Sequence, residues 1–291
     1  MNIIDGKKTA NNLNAILKNY LFDLKEKFSL IPCLAVILVG NNKASEIYVR
    51  NKEAKAKEIG IKSKVIRIPI DVKENELITT IKECNENENI DGILVQLPLP
   101  TQIDPDKIIE CINPNKDVDG FHPENIGLLA LGRPKVIPCT PLGCFKLLNS
   151  VTKMEGKNII IVGRSSIVGR PLSYLLTNKN ATVTLCHSKS KNIKDLCSNK
   201  DILIAAVGVP HLIKKEWVKP GAIVLDVGIN SVKSEEGHSK LAGDVDYHDV
   251  LSKVSAITPV PGGVGPMTIH SLLENTIRLS ILRRSINYNL N

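Results

Sequence analysis

"KNIIIVGRSSIVGRPLSYLLTN" (157–178) reads as a strand, a tight turn and a helix. The run Ile159–Val162 is apolar without alternation, which suits a strand covered on both faces, as in parallel sheets. Gly163 permits a sharp exit from that strand, and Gly169 lets the chain pack closely where the helix begins. Pro171 fits a first helical turn, where its missing N–H costs nothing. A helix N-terminus so placed can face a pyrophosphate, because its free N–H groups and its dipole favour anions. The spacing is not G-x-G-x-x-G, since only Gly163 and Gly169 are present. The dinucleotide reading therefore rests on the strand–turn–helix context and not on the fingerprint.

Apolar runs recur on both sides of this unit. After it come ATVTLCHS (181–188), DILIAAVG (201–208) and GAIVLDVG (221–228). Before it, CLAVILVG (33–40), KVIRIPI (64–70) and DGILVQLPLP (91–100) alternate with helical segments at 45–60 and 73–87. Ser45 is the expected N-cap of the first of these helices, and Gly60 its end. DPDKIIECI adds a short helix, and 113–141 reads as a long connection bearing Gly and Pro. The last helix, from Pro266 to about Arg284, sets Ile269, Leu273, Ile277 and Ile281 four apart as a core stripe. Strands alternating with helices predict an α/β protein of two domains: an N-terminal α/β domain and a Rossmann-like parallel-sheet domain.

The bulk numbers agree. The chain has 291 residues, 43% hydrophobic and 23% charged, an ordinary globular composition long enough for about two domains. No apolar run approaches the ~18–20 residues of a membrane span, and the start lacks a signal or transit layout, so a cytoplasmic protein is expected. Seven Cys without a C-x-x-C pair fit reduced thiols, and no metal site is expected. The net charge of +8 is spread along helices, and aromatics are only 3%. That combination points to small anionic ligands over nucleic acid.

Four further places carry candidate chemistry. The strand 181–188 leads into Cys186-His187-Ser188-Lys189, where an NAD-selective fold usually has an acid for the ribose 2′-hydroxyl. Arg164, Ser188 and Lys189 supply the donors and positive charge that a 2′-phosphate needs, so NADP is favoured over the alternative of an Arg and a Ser that merely face solvent at loop ends. In SEIYVRNKEAK, Tyr48 and Lys52 stand four apart and share a helical face. Such a pair reads either as an amphipathic edge with its ammonium in water or as a proton-moving Lys, whose pKa burial would have to depress. Gln96 ends a strand where a parallel sheet emits its ligand loops; it either reaches solvent or fixes a Lys. Asp117 and Asp119, before Gly120, make either a turn or a carboxylate that recognises a ring with N–H donors. TPVPGGVGPMT (258–268) lacks the Lys and Ser/Thr of a P-loop, but Gly262, Gly263 and Gly265 leave backbone open to flat rings.

Taken together, YVRNK, DGILVQLPLP, KDVDGFHP, PCTPLG, VGRSSIVGRP, CHSKS, GDV and PVPGGVGPMT, in that order and along the whole chain, resemble the bifunctional methylenetetrahydrofolate dehydrogenase/cyclohydrolase family. The resemblance implies oxidation of 5,10-methylenetetrahydrofolate with NADP and hydrolysis of the product to 10-formyltetrahydrofolate. It implies Lys52 as the central catalytic residue, with Tyr48, Gln96 and Asp119 completing the catalytic set. Implied substrate contacts are Tyr48, Val95, Gln96, Leu97, Asp119, Pro261, Gly262 and Gly263. Implied cofactor contacts are Gly163, Arg164, Ser165, Ile167, Gly169, Ser188 and Ile229. A discontinuous folate-binding domain (1–139 and 267–291), an NADP-binding domain (140–266), a cleft between them and a homodimer follow from the same source. A polyglutamylated folate is among the implied substrates, and neither nucleic acid nor membrane is an expected partner. Leu142 stands where relatives are often basic, so no charge role is assigned there. The competing readings are a dehydrogenase without the hydrolase step and, from another class, a catalytically silent nucleotide- or nucleic-acid-binding protein.

Overall fold

A computed structural model describes residues 2–233, 239–288 and 290. In chain order its elements begin with β1 (Asn2–Ile3), α1 (Gly6–Phe28), β2 (Cys33–Val39), α2 (Lys43–Ile59), β3 (Lys62–Ile68), α3 (Glu74–Glu86) and β4 (Gly92–Val95). Then come α4 (Pro105–Cys111), α5 (Pro123–Ala130), α6 (Cys139–Asn149), β5 (Asn158–Val162), α7 (Gly169–Thr177), β6 (Thr182–Cys186) and α8 (Ile193–Cys197). The chain ends with β7 (Ile202–Ala205), β8 (Ile223–Asp226), β9 (Asn230–Lys233), β10 (Ser239–Ala242), α9 (Tyr247–Leu251), β11 (Ala256–Ile257) and α10 (Val264–Arg283).

These elements form two compact units. One holds Asn12–Leu128, Pro134–Cys139 and the chain from Ile269 onward. Its three described strands form a parallel sheet in the order β3-β2-β4. Strand β2 explains why a run without alternation is a strand. Leu34, Val36 and Leu38 pack into one buried cluster, while Ala35, Ile37 and Val39 pack into a second on the other face. Each residue of the run is inside, so no polar residue is tolerated. Helix α10 adds Leu272, Leu273, Ile277 and Ile281 to the first cluster, with Ile269 partly buried against it.

The other unit holds the residues up to Asn11, Leu129–Arg133 and Thr140–Thr268. Its described strands form a six-stranded parallel sheet in the order β1-β11-β8-β7-β5-β6. Strand β5 has β6 on one side and β7 on the other, so the chain changes direction across the sheet at its C-terminal end. Ligands of open parallel sheets sit at such a switch point. Ile160, Val162, Leu203, Ala205, Val224 and Ile257 fill the core beneath.

The structure amends several expectations. Residues 2–11 group with the six-stranded sheet, because β1 extends it beside β11. The connection 113–141 is not irregular throughout: it contains α5 and the start of α6. Asn42, not Ser45, caps α2; its side chain accepts the Ser45 N–H at 3.1 Å. Gly60 ends that helix as expected, at φ 102°. Helix α10 begins at Val264, before Pro266. Among the described residues, no helix is long and apolar enough to cross a membrane.

Candidate functional site

Helix α2 buries Ser45, Val49, Lys52, Ala56 and Ile59, the three-and-four spacing of a core face. Lys52 therefore lies inside that stripe, only 8% exposed, while Tyr48 one turn earlier is 38% exposed. A helical pattern alone would send this ammonium to water; here the fold holds it in. Gln96 follows β4, and its backbone N–H continues the sheet to Ile37 O at 2.9 Å. Its amide nitrogen donates to Leu97 O at 2.6 Å, which turns Oε1 toward Lys52. Lys52 Nζ donates to that oxygen at 2.9 Å. Among the described residues this is the one partner of Nζ, so two of its three N–H donors stay open. Val95 is buried and Leu97 partly so, on either side of Gln96. Burial also raises the Tyr48 hydroxyl pKa.

The two aspartates of KDVDGFHP have separate duties. Asp117 accepts N–H groups from Gly120 at 3.0 Å and His122 at 2.8 Å, and the Asn125 amide at 3.0 Å. It is spent on folding its own turn. Among the described residues Asp119 takes no backbone bond of that kind. Burial pushes its carboxyl up to about 6, against the opposing attraction of Lys52, with Asp117 adding to the rise. It shares a recess with Val95, Leu97, Asp117 and Phe121. Sequence reasoning missed the supports of this segment. Cys139 donates to Val118 O at 3.3 Å, and Asn275 of α10 bonds both Val118 O at 2.9 Å and Ile137 O at 2.8 Å. Nothing local in the sequence marks Asn275, which meets Val118 only through the fold.

In the six-stranded unit the loop after β5 is built from backbone. Gly163 has φ +123°, and a Cβ there would lie 1.9 Å from Ala206 O, so no other residue fits. Ser165 Oγ accepts the N–H groups of Val168 at 3.2 Å and Gly169 at 3.4 Å, closing the turn at the start of α7. Its hydroxyl thus serves the loop itself in this structure. Arg164, Ser165 and Ser188 are exposed, and no carboxylate among the described residues pairs with Arg164. Ile167 and Ile229 are exposed apolar side chains, at 37% and 46%. A free guanidinium, exposed hydroxyls, no acid after β6 and two uncovered isoleucines form a donor set that fits a phosphorylated dinucleotide.

The segment Thr258–Gly265 leads from β11 into α10. Gly262 has φ +103° with open space around it, whereas Gly263 is buried. Pro261 is exposed, and Gly265 falls inside the first turn of α10. The start of α1 braces this turn, a feature not read from sequence. Lys7 N–H donates to Gly262 O at 3.0 Å. A Cβ on Gly6 would come within 1.7 Å of Gly263 O, so only glycine allows the approach.

Comparison with known proteins matches both halves of the chain. The description "Tetrahydrofolate dehydrogenase/cyclohydrolase, catalytic domain" covers residues 4–119. Its companion, "NAD(P)-binding domain", covers residues 138–284. The chain is 51% identical over 286 residues to the bifunctional protein FolD of Wolbachia pipientis subsp. Culex pipiens, spanning 98% of this chain and 97% of that protein. It is similar to the crystal structure of the bifunctional methylenetetrahydrofolate dehydrogenase/cyclohydrolase of Campylobacter jejuni, with TM-score 0.92, 46% identity and coverage of 97% and 99%. A Trypanosoma brucei dehydrogenase-cyclohydrolase, solved with NADP and an inhibitor, gives TM-score 0.92 at 36% identity, covering 98% of each chain.

Proposed function

The chain belongs to the tetrahydrofolate dehydrogenase/cyclohydrolase family, and on that premise we infer that it carries both activities. It oxidises 5,10-methylenetetrahydrofolate to 5,10-methenyltetrahydrofolate with NADP, then adds water and opens the ring to 10-formyltetrahydrofolate. The observation that carries the hydrolytic half is Lys52: buried, held by Gln96 Oε1 at 2.9 Å, and with donors to spare. Both residues are present, which favours the bifunctional reading over a dehydrogenase alone.

We assign the folate to the three-stranded unit and NADP to the six-stranded one. Tyr48 offers its ring face to the aminobenzoyl group, and its exposure leaves that face available. Asp119 accepts pterin N–H groups, while Val95 and Leu97 supply apolar contact. In the six-stranded unit Pro261 and Gly262 offer accessible backbone to flat rings, while buried Gly263 shapes the turn that presents them. When bound, NADP supplies the hydride acceptor. The protein's share of that step is orientation, which is where effective molarity comes from. In the hydrolytic step the methenyl carbon is already cationic, so water needs a base more than the carbon needs an acid. The step calls for Lys52 as its neutral amine: Nζ takes one water proton as the C–O bond forms and returns it to the ring nitrogen as the C–N bond breaks, while the remaining hydroxyl proton of the adduct leaves to solvent as the formyl C=O forms. Gln96 keeps Nζ in place through both transfers. Gly163 and Gly169 keep the loop close to the pyrophosphate, with Ser165 closing it. Arg164 and Ser188 hold the 2′-phosphate, and Ile167 and Ile229 give the apolar contacts. A homodimer and polyglutamylated folate, both resting on the resemblance, and the cytoplasmic location expected from the sequence complete the reading.

Replacing Lys52 with Met tests the assignment. Hydrolysis of supplied methenyltetrahydrofolate should fall by ~10²–10⁴, the usual contribution of a positioned acid–base group. NADPH affinity, read by fluorescence, should stay within about twofold, since no nucleotide contact is touched. Full hydrolysis in Lys52→Met would remove Lys52 from the mechanism. Arg164→Ala should weaken NADP by ~10–100-fold while leaving NAD nearly unchanged. Equal losses for both dinucleotides would end the 2′-phosphate argument.

A further inference from the structure

Two buried carboxylates in the six-stranded unit have no place in the chemistry above. Asp226 ends β8 at 3% exposure, and Asp244 is fully buried. Among the described residues neither makes an ion pair. Both are instead wrapped in N–H groups. Asp226 Oδ1 accepts from Gly228 N at 3.0 Å and Asp244 N at 2.9 Å, and its Oδ2 from Val245 N at 2.9 Å. Asp244 Oδ2 accepts from Val207 N at 2.6 Å and Gly208 N at 3.0 Å, and its Oδ1 from Asn230 Nδ2 at 2.9 Å.

The backbone makes room for both. A Cβ at Gly243 would lie 1.9 Å from Asp226 Oδ2, and one at Gly228 would lie 2.2 Å from Asp244 Oδ1. Burying two carboxylates without a cation is costly, and burial pushes the Asp226 carboxyl up to about 6. A fold that needed only to join strand ends has cheaper means. What the arrangement does gain is position. Besides Asp244 N and Val245 N, the donors come from the turn after β7 (Val207, Gly208) and from the link between β8 and β9 (Gly228, with Asn230 opening β9), both at the C-terminal edge where parallel sheets bind ligands. Gly228 and Asn230 flank Ile229, whose side chain is left 46% exposed. Ile229 is thereby pinned from both sides, one pin to each carboxylate.

We propose that Asp226 and Asp244 are positioning residues for the dehydrogenase half: their carboxylates lock the turns after β7 and β8 so that Ile229 presents a fixed apolar wall to the dinucleotide. The inference rests on the assignment of Ile229 as a cofactor contact. Neither aspartate touches the cofactor; they act through the turns they hold.

The hydrolase step serves as the internal control, because it runs on supplied methenyltetrahydrofolate without NADP. In Asp244→Asn one carboxylate oxygen becomes an amide facing N–H donors, so the turns should loosen. NADPH affinity by fluorescence titration should drop ~10-fold, and the dehydrogenase rate should fall with it, as expected when a charge-assisted bond is lost. NADP-free hydrolysis should stay within about twofold, because Lys52 and Gln96 are untouched. Unchanged NADPH affinity overturns the proposal, and so does a parallel fall in both activities, which would mean a general structural role. Should Asp244→Asn not fold, Asn230→Ala removes a single pin and leaves the backbone bonds; a ~3–5-fold loss of NADPH affinity is expected, and none would overturn the proposal. A wild-type chain that fails to bind NADPH would instead refute the cofactor reading itself.

Discussion

The three-stranded unit buries two lysines, and they could hardly be treated more differently. Lys116 is 2% exposed, and its ammonium donates to three backbone carbonyls: Cys84 O at 3.1 Å, Asn85 O at 2.6 Å and Asn87 O at 2.8 Å. These carbonyls belong to the end of α3, where helix geometry leaves C=O groups without partners and the dipole favours a cation. All three donors are used. Lys52, at 8%, has one partner among the described residues, a side-chain amide, which leaves two donors free. Burial alone therefore does not identify a reactive lysine. The count of satisfied donors does: a saturated ammonium is a structural cap, whereas an undersaturated one is held ready for something that arrives.

The sharpest way to break this contrast is to remove each ammonium in turn and compare with the Lys52→Met result above. Lys116→Met should cost about 2–3 kcal/mol of stability, because three buried carbonyls lose their donor and only part of that is offset by relief of lysine desolvation. Burial pushes the Lys116 ammonium below its ordinary value, with Arg283 adding to the fall, so that relief is real. Hydrolysis per folded molecule should stay within about tenfold, since Lys116 contacts no reacting atom. Urea unfolding and the hydrolase assay give the two numbers. A Lys116→Met chain as stable as the parent, or as inert as Lys52→Met, would erase the distinction.

The same contrast shows what could be read before any coordinates. The alternation of apolar strands with helices is legible because a strand such as β2 is buried on both faces and tolerates no polar residue. Local pattern marks Lys52, Gln96 and Asp119 as candidates but leaves each beside a plain structural alternative; only the series of motifs assigns them roles. Their roles became separable through contacts that sequence does not encode locally. Asp117 and Asp119 are two residues apart, chemically identical and both on the recess, yet only Asp117 gathers the N–H groups of its own turn. Lys116 gave no signal, since its partners lie about thirty residues earlier at a helix end. The Asp226–Asp244 pair escaped for the same reason: its donors converge from three separate segments. Short-range pattern reveals elements; satisfaction of buried polar groups is a property of the assembled fold.

The smallest effect should also be the most diagnostic, because Asp119 and Lys116 sit on one segment and should respond with opposite sign. Burial raises the Asp119 carboxyl to about 6, against about 3.9 for an ordinary aspartate. Below pH ~4 the group is protonated whether the chain is folded or not and contributes nothing. Between ~4 and ~6 the unfolded chain ionises first, so the unfolded state binds fewer protons and stability falls as pH rises. Above ~6 the penalty is constant. Full burial would make it ~3 kcal/mol, but Asp119 is partly exposed, so ~1 kcal/mol is the expected size after screening. Asp119→Asn should therefore raise the thermal midpoint at pH 7.5 and lose that advantage at pH 4. It should weaken folate binding at the same time, because an amide replaces the acceptor for the pterin N–H groups. A gain of equal size at both pH values would assign the effect to packing, and a loss at pH 7.5 would mean that Asp119, like Lys116, is there to hold the fold.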